Sequence, residues 1–145
     1  MHRRPLGRGR TIAAVGGIAI VIGCLLPWWR LGGNGELPLA QGNGLEGSGI
    51  AVFLVGLAVL ALVALPYAAG DRPLGIDRPL AFGILAVAGW IAFGLNVVSL
   101  FLMDAFRFTE PIQVLTNGPG LWLTAIGLAI LARAVYEMVR EPAYR

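Results

Sequence analysis

The sequence contains no lysine, one histidine and one cysteine, and charged residues fill only 13% of its 145 positions. Each shortage excludes something. A lone cysteine, Cys24, cannot close an internal disulfide, so the loops must hold their shape without one. His2, the only histidine, lies in the N-terminal tail, which leaves histidine-based acid–base and metal chemistry without a carrier. Soluble domains carry about 25% charged residues. With 57% hydrophobic residues and a mean hydropathy of +0.77, this chain cannot cover itself with a polar surface.

The charges that are present are segregated. Four stretches hold none: Thr11–Trp29 (19 residues), Gly47–Gly70 (24), Pro79–Met103 (25) and Pro111–Ala132 (22). A hydrocarbon core of about 30 Å takes roughly 20 apolar residues in helical form. Within it every backbone N–H and C=O must be paired inside the protein, which selects helices here, since the alternation of a membrane barrel strand is absent. The expected fold is all-α, an integral membrane four-helix bundle. It forms a single domain over 1–145, with spans near 11–29, 49–70, 80–103 and 120–139. The external loops fall at 30–48 and 104–119.

The eleven arginines set the expected topology. Nine lie before span one, between spans two and three, or in the last two turns of span four and after it, whereas only Arg30 and Arg107 lie in the other loops. This positive-inside bias puts both termini in the cytoplasm of a multi-pass plasma (inner) membrane protein. It also accounts for the net charge of +3 without nucleic acid. The same placement is compatible with docking of anionic lipid headgroups at the cytoplasmic face.

The N-terminus reads as a basic region followed by an apolar one, and Val21-Ile22-Gly23-Cys24 fits a bacterial lipobox. Cleavage and lipidation at Cys24 is one reading. A retained signal-anchor helix is the other, and the apolar run through Leu25, Leu26, Pro27, Trp28 and Trp29 favours it. Pro27 should end or kink that helix. Trp28 and Trp29 then belong at the outer headgroup level, with their N–H groups wet. The segment after them, seven glycines from Gly32 to Gly49, reads as a turn-rich loop without strand or helix periodicity. The Asp71–Pro79 connection is short enough to make spans two and three antiparallel neighbours. Segment 104–119 alternates aromatic and charged residues and reads as a short interfacial element.

Small residues four apart mark the expected contact faces: Ala13/Gly17, Ala19/Gly23, Ala64/Ala68, Ala88/Ala92 and Ala125/Ala129, with Gly83, Gly89, Gly94 and Gly127 beside them. They suit internal packing or an interface between copies. No catalytic, cofactor-binding or metal constellation stands out. Cys24 in an apolar helix reads as a small core hydrophobe. Asn96 and Ser99, three apart in span three, share a face, which suits an interhelical hydrogen bond or the lining of a path. A weak cation site between the two external loops is a further reading, and calcium titration tests it. Arg133 can pair with Glu137 one turn on.

Three short motifs carry a resemblance. They are Gly23-Cys-Leu-Leu-Pro-Trp-Trp29, Gly44-Leu-Glu-Gly-Ser-Gly49 and Gly118-Pro-Gly-Leu-Trp-Leu123. Together they resemble a group of small uncharacterised four-span proteins of Gram-positive and related bacteria. Those proteins show a similar LPW after span one and a similar GxGLWL at the start of span four. The resemblance implies a fold and a topology and no activity. A claudin-like layout is a looser analogy, because the first loop lacks that family's paired cysteines.

The expected function is non-enzymatic, a structural or accessory role in which the protein meets another membrane protein or a second copy of itself within the lipid bilayer. The alternative is an oligomeric small channel or transporter with a path along the outer half of span three. The candidate interaction residues are Trp28, Trp29, Asn96, Ser99 and Trp122.

Overall fold

The structure, a computed structural model, describes residues 7–31, 40–68, 78–102 and 118–140. The elements run α1 (Arg8–Leu25), β1 (Pro27–Leu31), β2 (Ala40–Asn43), α2 (Gly49–Ala68), α3 (Arg78–Leu102) and α4 (Pro119–Arg140). All four helices are long and apolar enough to cross a membrane. Residues 32–39, 69–77 and 103–117 lie outside the described residues, and with them the Asp71–Asp77 turn and almost all of the 104–119 element.

Helix boundaries follow proline chemistry. Leu26 is extended, at φ −80° and ψ 156°, as the residue before a proline must be. The α1 helix therefore stops at Leu25, four residues short of the expected end of span one. Proline in the first turn sacrifices only an N–H that has no helical partner. Pro79 and Pro119 stand there in α3 and α4.

The expected turn-rich loop without strand periodicity is corrected in its described parts. Strand β1 pairs antiparallel with β2, matching Pro27 to Asn43, Trp29 to Gly42, Arg30 to Gln41 and Leu31 to Ala40. Two β1 residues, Trp28 and Trp29, fill a step where β2 has one. This bulge turns Trp28 out of the ladder. The ribbon escapes detection in the sequence because its strands are only five and four residues long and the second reads Ala-Gln-Gly-Asn.

The helices pack in the cyclic order α1, α2, α3, α4, with α1 and α4 the closest pair. Each buries a seam that advances by alternating steps of three and four residues. In α1 it is Gly9, Ala13, Gly16, Ile20 and Gly23; in α2, Gly49, Val52, Gly56, Val59 and Val63. In α3 it is Phe82, Ala86, Gly89, Phe93, Asn96 and Leu100; in α4, Gly120, Thr124, Gly127, Leu131 and Ala134. A 3.5-residue repeat keeps one face toward a neighbour through several turns, the packing of left-handed bundles.

The four-apart pairs are therefore only partly right. Ala13, Gly17, Gly23 and Gly127 are buried, but Ala64, Ala68, Ala88 and Ala129 face outward. The tightest contact uses a seven-residue spacing instead, in which Gly9, Gly16 and Gly23 run against Ala134, Gly127 and Gly120. A methyl on Gly16 would lie 3.0 Å from Gly127 O, and one on Gly23 would lie 2.6 Å from Thr124 N. Only glycine lets these backbones approach so closely.

Outside the seams the helices stay apolar. In α3 the outward stripe is Leu80, Ile84, Val87, Ile91, Leu95, Val98 and Leu102. Val15, Ile18, Ile22 and Leu25 continue it on α1, Ile50, Leu54 and Leu57 on α2, and Trp122, Ile126 and Val139 on α4.

Candidate functional site

The β ribbon closes one end of the bundle, opposite the termini end, where α1 begins and α4 ends. Its closure begins with the last carbonyls of α1, which have no helical partner. Leu26 N bonds Ile22 O at 3.1 Å. The Trp28 indole Nε1 donates to Gly23 O at 3.0 Å, and Gly44 N donates to Cys24 O at 2.9 Å. Ile22 O is thus closed by the helix's own C-cap, whereas Gly23 O and Cys24 O are capped by Trp28 of the ribbon and by Gly44 just after it. In a low-dielectric setting each unpaired carbonyl would cost several kcal/mol.

The turn after β2 continues the cap. Asn43 Oδ1 accepts from Leu45 N at 3.0 Å. Gly47 takes the left-handed conformation, φ +56°, that a side chain would strain. Glu46 O then accepts two bonds, from Gly49 N at 3.1 Å and from Asn96 Nδ2 at 3.1 Å. The carboxamide of α3 thereby holds the turn down onto the bundle.

These contacts correct the placement of Trp28. It is not wet at a headgroup level; it is 1% exposed, with its indole bonded inside the protein. The bulge aims it at the interior, where it meets Phe93 edge to face at 5.5 Å, and Phe93 in turn meets Trp90 at 5.9 Å. Trp29, one residue on, stays half-buried on the ribbon, with its indole nitrogen over Gly42.

Asn96 is buried at 7% exposure, and its partner is a backbone carbonyl rather than a side chain of another helix. Ser99 is half-buried and Trp122 is 42% exposed. Trp28 and Asn96 are brought together through two glycines. A methyl on Gly44 would lie 2.7 Å from Trp28 Nε1, one on Gly49 would lie 2.8 Å from Asn96 Nδ2, and Gly49 also packs on the Gly44 carbonyl. Trp29, Ser99 and Trp122 do not join this cluster.

Sequence reasoning missed Thr124, Phe93 and the capping role of Gly44 and Gly49. Thr124 Oγ1 donates to Gly120 O at 2.8 Å and lies 3.9 Å from Cys24 Sγ. Both side chains are fully buried. For Gly44 and Gly49 the signal lay in the three motifs 23–29, 44–49 and 118–123, which the fold brings to this one end; Phe93 and Thr124 lie outside them. Cys24 packs on Thr124, Gly44 on Trp28, and Gly23 on Gly120.

Among the described residues no buried side-chain polar atom lacks a hydrogen-bond partner, and no group of His, Cys, Asp and Glu is arranged to hold a metal. Chemically, the cluster is suited to fixing a shape. Around it, the outward groups of this end are Trp29, Arg30 and Gln41 on the ribbon, Glu46 in the turn after it, and Trp122 near the head of α4. At the opposite end, Arg133 Nη2 donates to Glu137 Oε1 at 2.6 Å, the one-turn pairing expected from the sequence. No protein-family model, no curated protein and no solved structure matches the chain.

Proposed function

We propose that the protein is an integral bundle of the plasma (inner) membrane with both termini cytoplasmic. Its role is structural or accessory: it presents the ribbon-capped end and its apolar flanks to another membrane protein or to a second copy. The observation that carries this reading is the double apolarity of the helices. Each has an apolar seam inward and an apolar stripe outward, and a helix apolar all round belongs in a protein core or in lipid. The arginines support the orientation. Among the described residues, Arg8, Arg10, Arg78, Arg133 and Arg140 stand at the termini end of the helices, and Arg30 alone at the ribbon end. A retained α1 fits as well, because cleavage before Cys24 would remove the helix against which α4 packs most closely.

The accessory role draws on how the polar side chains are used. Asn96, Thr124 and Cys24 are committed within one bundle. Asn96 in particular bonds the turn of its own chain, which supports the accessory reading over a path between copies. Single cysteines at Gly7 and Glu46 test the topology in intact cells, since the native thiol is buried. A membrane-impermeant maleimide should label Glu46→Cys and spare Gly7→Cys, and the reverse pattern would overturn the orientation. The role itself is tested by native mass in mild detergent and ion flux in liposomes. A defined complex without flux is expected; a closed homomeric ring with flux would favour the channel.

A further inference from the structure

We propose that the termini end of α4 binds the phosphate of an anionic phospholipid between Arg133 and Arg140. Tyr136 stands between these arginines, with the Arg133 guanidinium carbon 5.7 Å and that of Arg140 4.2 Å from its ring centroid. A guanidinium placed over a ring by a cation–π contact leaves its N–H donors for another partner. The Arg133 side chain is 65% exposed, and its ion pair with Glu137 engages one terminal nitrogen. The fork geometry of the rest suits phosphate oxygens.

Two further observations point to a lipid rather than to free phosphate. Toward the ribbon end, the outward face of α4 beneath the arginines is apolar: Ile126, Ala129 and Ala132 are exposed there, and Val139 flanks the site. An acyl chain has a surface to lie on directly below the cationic rim. The charge is also one-sided. Gly9 packs against Met138, which brings the first turn of α1, with Arg8 and Arg10, beside the last turns of α4. Among the described residues this end carries five arginines and one acid, Glu137.

The inference rests on the membrane reading, and its test separates the two. Full-length protein in a non-ionic detergent is titrated with phosphatidylglycerol and with phosphatidylcholine, and bound lipid is counted by native mass spectrometry. At about 1 kcal/mol for each arginine near an anionic headgroup, a preference of about 30-fold for phosphatidylglycerol is expected. Arg133→Gln or Arg140→Gln should each lower it about five-fold, the double variant should abolish it, and Arg30→Gln should leave it unchanged. Rising salt should erode it in the unaltered protein, a measurement that needs no variant. A salt-independent preference, a double variant that keeps it, or inorganic phosphate competing as well as the lipid would each overturn the proposal. Equal uptake of both lipids would refute this site alone. A protein that stays monodisperse without detergent and takes up neither lipid would refute the membrane reading.

Discussion

The two ends of the bundle are tied by different kinds of bond. At the ribbon end the ties join buried or half-buried partners: Trp28 to Gly23 O, Gly44 N to Cys24 O, Asn96 to Glu46 O and Thr124 to Gly120 O. At the termini end the charged contacts lie on α4 alone: an exposed Arg133–Glu137 pair and two arginines around Tyr136. A buried bond that is broken leaves a polar group without water or partner, whereas an exposed ion pair that is broken returns both groups to solvent. The first end should behave as a lock, and the second should yield readily to substitution and to ligands.

The comparison breaks most visibly at the glycines. Leucine at Gly120 would be driven into the backbone carbonyls of Gly23 and Leu26. Gly120→Leu should cost at least about 3 kcal/mol, the upper range for overpacking, and appear as loss of monodisperse protein in detergent. Gly94→Leu is the matched control, because a methyl there meets nothing within 4 Å. If both variants purify equally well, the close α1–α4 approach is not what holds the bundle.

The tandem tryptophans sharpen it next. Trp28→Ala should cost about 3–5 kcal/mol through the void it leaves. Trp28→Phe should cost about 1–3 kcal/mol, because Gly23 O loses its indole donor while burial persists. Trp29→Phe should change the thermal midpoint little. Equal shifts for the two phenylalanine variants would mean that the bulge does not distinguish the neighbours.

Smaller effects follow. Asn96→Ala should cost about 1 kcal/mol, in the range measured for hydrogen bonds in membrane bundles, and should speed hydrogen exchange at Gly49. Unchanged exchange there would mean that the carboxamide does not hold the turn. Glu137→Gln, at the termini end, should move the thermal midpoint by less than the equivalent of about 0.5 kcal/mol. A shift as large as that of Asn96→Ala would erase the distinction between the ends.

Much of this was legible in the residues, because charge-free length, proline and arginine placement act locally. The four helices, the stop before Pro27 and the Arg133–Glu137 pair depend on neighbours within a turn or on bulk polarity. The ribbon, the inward turn of Trp28 and the seven-residue glycine spacing depend on partners far away in sequence. Glycine and alanine occupy both the buried seams and the outward faces, so spacing alone could not tell Gly16, which meets Gly127, from Gly94, which meets nothing. Asn96 was singled out correctly as a polar group in need of a partner, but that partner, Glu46 O, is a backbone atom and leaves no mark in composition.

The glycine seam between α1 and α4 also has a consequence in time. It joins α1 to α4, and Arg140 lies 115 positions after Leu25. At a synthesis rate of about 5–20 residues per second, α1 waits about 6 to 23 seconds with Gly16 and Gly23 unmatched. During that interval α2 and α3 can already form their hairpin, but the ring cannot close. The nascent chain therefore stays open to a wrong partner until α4 arrives, and a ribosome stalled ahead of Pro119 would leave it so.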